Sequence, residues 1–193
     1  INIFLGLIQI AMLSNTLELT LRKALDIAAS YKHEYATYEH LLLALMDDED
    51  VKLVLIEKRI NPKTISKKLI TYLKNGLAEL VNQNLKESKP TAGFQRIVQR
   101  AVLHSQTNGQ KTITGVNVLA KFFFENNSYA LTCLKQAHLK RGDVLNCNNR
   151  NNNFTTITDQ HSSKKQLYSD DTENSEIDIS RQLQPSKNSN TSN

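Results

Sequence analysis

The eight residues HEYATYEH, from His33 to His40, hold two imidazoles and two carboxylates, a density of titratable groups that would suit metal binding or proton transfer. The spacing completes neither chemistry. His33 and His40 stand seven positions apart, a turn places them on different elements, and no third ligand follows at a recognisable spacing such as HExxH. A hydrolase would need a nucleophile on a strained elbow with its base in reach. No such motif occurs, and Glu39 and His40, adjacent in sequence, leave a helix in different directions. The two histidines are therefore read as surface or capping residues, with no metal site and no catalytic residue assigned. For Glu39 two readings stand together: a first-turn acid behind an N-cap at Thr37, favoured by the helix dipole, or an exposed carboxylate open to a partner. Glu34 is a solvated loop acid on the first reading.

The remaining reactive side chains give little more. Cys133 and Cys147 make no CxxC or zinc spacing, which fits a cytosolic chain with both thiols reduced; Cys133, between Ala130 and Leu134, reads as a small core hydrophobe. Lys63, Lys67, Lys68 and Lys74 form a basic stripe, but without interleaved aromatics it reads as a solvated helix face and not as a nucleic-acid site. The segment KFFFENN at 121–127 puts three phenylalanines in a row, so at least one leaves the core stripe; burial between two packed units is expected for the rest.

Composition sets the frame. A chain of 193 residues suits one domain with a tail. The formal charge of +5 is spread out, with 19 of the 24 basic and 13 of the 19 acidic residues before Asn146. The opening INIFLGLIQIAML is apolar and uncharged, yet too short for a spanning helix and without the basic start and cleavage site of a secretory signal. Residues 1–13 are read as an N-terminal extension, 14–147 as the folded domain, and 148–193, rich in Asn and Ser, as a disordered polar tail.

Helical periodicity runs through the domain and no strand pattern interrupts it. Leu17, Leu21, Ala24, Leu25 and Ala28 line one face of a first helix ending near Tyr31. Thr37 N-caps a second helix, a third covers Val51 to Lys58, and the Asn61-Pro62 pair opens a fourth through Ile65, Leu69 and Leu73. A helical continuation at 77–85 then leads into a surface linker, ESKPTAG.

Seventy-seven positions on, the plan recurs. Phe94, Val98, Ala101, Val102 and Ser105 fall opposite the first-helix positions; Thr114, Val118, Leu119 and Phe122 match Thr37, Leu41, Leu42 and Leu45. After a two-residue adjustment Ala130, Leu134 and Leu139 match Val51, Leu55 and Ile60. Either half alone has too few apolar residues to close a core, so the expected fold is all-α: a compact bundle of about eight helices from two pseudo-repeated four-helix motifs, repeat one 15–75 and repeat two 92–147.

The segments MLSNTLELTLRKAL, YKHEYATYEHLLLALMDDEDV and GFQRIVQRAVLHSQTNGQKTITGVNVL, with the duplication itself, resemble the N-terminal domains of ClpA-type ATP-dependent unfoldases, within the Clp N-domain family. The resemblance covers 12–145 and implies a cytoplasmic, non-catalytic binding module without cofactors, a monomer when it stands without the ATPase modules, docking the adaptor ClpS and, as a second class of partner, unfolded protein substrates. It implies that Glu34, Glu39, Thr91 and Arg96 belong to the adaptor-binding surface. The ATPase modules of such unfoldases carry a phosphate loop, GxxxxGK[ST]; none of the six glycines here precedes a lysine. The rival function is a basic helical domain that binds nucleic acid.

Overall fold

The computed structural model describes residues 13–147. The tail at 148–193 and all of the N-terminal extension except Leu13 lie outside the described residues. Leu13 itself is part of the fold: it is buried, and it bridges Ile113.

Each helix starts where a side chain can satisfy the amides that helix geometry leaves orphaned. Helix α1 (Asn15–Ser30) is capped by Ser14, whose hydroxyl accepts from Leu17 N–H at 3.1 Å. A two-residue strand, β1 (Tyr35–Ala36), leads to α2 (Tyr38–Leu45), which opens on a capping box of Thr37 and His40. Asp48 caps α3 (Glu49–Glu57), and Asn61 caps α4 (Pro62–Asn75) with proline in its first turn. The second half runs through β2 (Lys89–Pro90), α5 (Ala92–Thr107), α6 (Gly115–Leu119), α7 (Tyr129–Gln136) and α8 at 141–147.

Two expectations are corrected at the junction of the halves. No helix continues over 77–85: α4 ends at Gly76, one 3-10 turn covers Ala78–Leu80, and Val81 then bridges His33. ESKPTAG is not merely a surface linker. Ser88 is buried with its hydroxyl on the His33 carbonyl, and Lys89–Pro90 pairs in parallel with Tyr35–Ala36, a short ladder that the helical periodicity does not announce.

The duplication extends to the backbone. Ser14 and Thr91 cap α1 and α5, and Thr37 and Thr114 open capping boxes on α2 and α6, both pairs at the 77-residue offset. Lys32 and Gly109 take the left-handed conformation after α1 and α5, as Arg59 and His138 do after α3 and α7. The halves also exchange the same backbone bond: Thr91 N–H donates to Ala36 O at 3.0 Å, and Ser14 N–H donates to Ile113 O at 2.9 Å. Each half thus lends its leading segment to a clasp on the other.

One core fills the space between them. Leu17, Leu41, Leu42, Leu45 and Leu55 from the first half meet Phe94, Ile97, Leu119, Phe122 and Leu134 from the second, all withdrawn from solvent. Ala28 has Ser105 as its mate, and the Ser105 hydroxyl is buried there without a hydrogen bond. Of the three consecutive phenylalanines, Phe122 is in the core and Phe124 is 48% exposed, with the Arg141 guanidinium 4.5 Å from its ring centroid. Cys133 is buried as expected, and neither cysteine is in a disulfide.

Candidate functional site

The first-half clasp gathers most of the residues singled out in the sequence. Glu34 donates its N–H to Leu80 O and accepts Lys89 N–H, so its backbone is pinned on both sides while its half-buried carboxylate has no hydrogen bond or ion pair among the described residues. Thr91 is doubly tied: its hydroxyl donates to Ala36 O at 3.1 Å and accepts from Phe94 N–H, joining the clasp to the cap of α5. Arg96 lies on the exposed side of α5, just over a turn beyond that cap.

Glu39 does not fit the exposed reading. It is 5% exposed, because α7 packs against the start of α2 and closes over it. Its Oε2 accepts the Thr37 hydroxyl at 2.6 Å and its Oε1 accepts Ala130 N–H, a first-turn amide of α7, at 3.2 Å. Ser128 takes the next orphan amide, that of Leu131. One carboxylate therefore faces two helix N-termini, where the partial positive charge favours it. At the matching contact, α6 against α3, Gly115 presses on the capping carboxylate of Asp48 so closely that a Cβ would overlap it.

His33 and His40 are not surface residues either. His40 is 0% and His33 2% exposed, and only the capping part of the reading holds, for His40. Thr37 N–H donates to His40 Nδ1 at 2.9 Å, which fixes the His40 proton on Nε2, and Nε2 lies 2.9 Å from His33 Nδ1. Burial, with the neighbouring His33 ring, pushes the His40 pKa down to about 3, and burial lowers that of His33. No group of three or more metal-ligating side chains occurs among the described residues.

Sequence reasoning missed the anchor of this face. Glu125, 8% exposed, accepts from Arg96 Nε at 3.1 Å, Arg96 Nη2 at 2.7 Å, Arg100 Nη1 at 2.6 Å and the Tyr38 hydroxyl at 2.6 Å. The guanidinium groups hold its carboxyl below the ordinary range, and burial with Glu125 pushes the Tyr38 phenol up to about 12. Gly93 leaves room for Tyr38, since a Cβ there would overlap its ring. Arg96 and Arg100, one turn apart on α5, were a legible anion receptor; their acid, 25 and 29 residues on, was not.

The clasp and the capped helices hold the side chains of this face on a backbone bonded across both halves. The model of the Clp repeat (R) N-terminal domain family matches residues 12–137. The chain belongs to that family. This Clp N-domain is 38% identical over 139 residues to the ClpA homolog protein of Fuscovulum blasticum, a match covering 72% of this chain and 18% of the relative. It is 32% identical over 117 residues to the chaperone protein ClpB of Chlamydia pneumoniae, covering 58% and 13% respectively. The chain thus spans less than a fifth of the length of these relatives. In fold the Clp N-domain is similar to the Hsp104 N-terminal domain of Candida albicans, with a TM-score of 0.58 at 13% identity over 71% of this chain and 88% of that one. It is also similar to a ClpV N-domain solved in complex with a VipB peptide, with a TM-score of 0.51 at 19% identity over 68% and 81%. Clp N-domains are the protein-interaction domains of Clp ATPases, and no helix among the described residues is long and apolar enough to cross a membrane.

Proposed function

We propose that this Clp N-domain is a non-catalytic docking module whose partner is the adaptor ClpS, received on the face formed by the first-half clasp and the outer side of α5. Glu34, Thr91 and Arg96 supply that face, with Arg100 beside them. Glu39 serves it from below, by fixing α2 against α7. The observation that carries the reading is the polar group left over: Glu34 keeps an unpaired carboxylate on a backbone bonded from both sides. Such a face loses little conformational entropy on binding, so more of the contact energy becomes affinity. The ClpA homolog among its relatives supports an adaptor of the Clp system, and the peptide-bound ClpV N-domain supports a protein partner in general. Unfolded polypeptide is the second class of partner, met by exposed apolar side chains such as Phe124.

Titration of the purified chain with ClpS, and separately with duplex DNA, at two salt concentrations tests this. Saturable binding of one ClpS per chain is expected, weakening less than about tenfold between roughly 50 and 200 mM salt, whereas binding through 6–10 phosphates would fall ~10³-fold or more. No interaction with ClpS, together with tight and steeply salt-dependent binding to DNA, would favour the nucleic-acid reading of the α4 lysines.

A further inference from the structure

We propose that His33 and His40 form an acid-sensitive latch, which holds β1 against β2 and the start of α2 in place at neutral pH and releases them when either ring takes up a proton. The geometry is a relay with one consistent set of protons. Thr37 N–H must donate to His40 Nδ1, so His40 carries its proton on Nε2 and donates to His33 Nδ1. Both Nδ1 atoms are acceptors, so neither ring can become an imidazolium without losing a link. The relay sits between the segments it joins: His33 bridges Val81 and its carbonyl receives the Ser88 hydroxyl, while His40 closes the capping box of α2.

The second half shows what a latch without titratable groups looks like. At the 77-residue offset His33 is replaced by Gln110 and His40 by Asn117. Asn117 Oδ1 accepts Thr114 N–H at 2.9 Å and its Nδ2 donates to Gln110 Oε1 at 2.9 Å. The same three-part relay is thus built twice, once from amides and once from imidazoles, and only the second version responds to pH.

Among the described residues no carboxylate bonds either ring: Glu34, next to His33 in sequence, makes no hydrogen bond or ion pair with it, and burial alone shifts His33. From the end of α1, Tyr31 stacks on His33, and the Lys32 ammonium is bound to Gln83. The Glu39 carboxylate of α2 is committed to the Thr37 hydroxyl and Ala130 N–H. Glu39 acts on Tyr72 of α4 and Cys133 of α7, Glu79 of the 3-10 turn acts on Tyr72, and the one charge that acts on His40 is that of His33. A fold that refuses the proton which the unfolded segment accepts loses stability as pH falls below the ordinary histidine value. The opening constant rises about tenfold per pH unit for each such ring.

Amide hydrogen exchange on the intact chain tests the latch. Protection factors of Glu34, Lys89 and Thr91, whose amides close the first clasp, should fall at least about tenfold between about pH 7 and pH 5, while that of Ser14, which closes the second, stays level. The double variant His33→Gln with His40→Asn, which copies the sibling relay, should abolish the difference. Equal protection of the first clasp at both pH values, or equal loss at both clasps, would overturn the latch, as would a folded double variant that keeps the pH response. If the double variant does not fold, the comparison of the two clasps within the parent decides alone. Weakened ClpS binding in acid rests on the docking reading: a clasp that opens while ClpS binding holds steady upholds the latch and counts against that reading.

Discussion

Replacing Glu39 with arginine is expected to unfold much of the domain at room temperature. The substitution removes the acceptor of Ala130 N–H and of the Thr37 hydroxyl and puts a cation where two helix N-termini converge. Stripping one partner from a buried charged contact costs about 3–5 kcal/mol, and an unfavourable dipole adds up to ~2 kcal/mol, against a total stability of ~5–15 kcal/mol for a domain of this kind. Urea unfolding should show the midpoint collapse, while Glu34→Arg, on a half-exposed side chain without partners, stays within about 0.5 kcal/mol of the parent. Glu39→Gln, which keeps one carbonyl oxygen for the α7 amide, should fall between. An arginine variant that melts with the parent would mean that the α2–α7 contact is not what holds the halves together.

The second large effect lies at Glu125. Its carboxylate gathers two guanidinium groups and a phenol, so Glu125→Lys sets three cations side by side and removes the acceptor of the Tyr38 hydroxyl proton, leaving that oxygen only the bond it accepts from Arg96 Nη2. The arginines are nearly half exposed, which screens the repulsion, and the expected loss is about 2–3 kcal/mol. Acid should reproduce it. The folded carboxyl titrates below its unfolded value, so its contribution is complete above the ordinary carboxylate range and disappears as pH falls through the lower folded value. The histidine pair acts earlier and by the same logic. His40 is held neutral down to about 3, so stability declines from the unfolded histidine value near 6.5 downwards. A parent melting profile should therefore fall in two stages, the first absent from the His33→Gln, His40→Asn variant and the second from Glu125→Lys. A single fall below pH ~4 would show that the histidines do not take part.

The elements legible in the sequence were those governed by neighbours along the chain. Thr37, Thr114, Asn61 and the apolar stripes declare themselves within four residues, because capping and helical periodicity are local. The clasps were silent. A two-residue ladder such as Tyr35–Ala36 on Lys89–Pro90 has no alternating pattern, and its partners lie 54 residues apart. Glu39 illustrates the same limit from the side of the site. Its place in the first turn was readable, but its burial depends on an amide 91 residues away. The histidines were a different case, since the signal was present: the offset that aligned the apolar positions also aligns His33 with Gln110 and His40 with Asn117, two hydrogen-bonding pairs in matching loops. Their pairing runs through side-chain hydrogen bonds and leaves no mark on the apolar periodicity, which by itself places both histidines off the core stripe.

The docking face is tested most directly by amide chemical-shift mapping of the isotopically labelled chain as unlabelled ClpS is added. Perturbations should concentrate at Glu34 to Thr37, Lys89 to Thr91 and along the outer side of α5 at Arg96 and Arg100, and Glu34→Arg should abolish them in a chain that keeps the parent spectrum elsewhere. Perturbations centred on Leu53 and Ile56 of α3 or on the lysines of α4, with the clasp unmoved, would contradict the account.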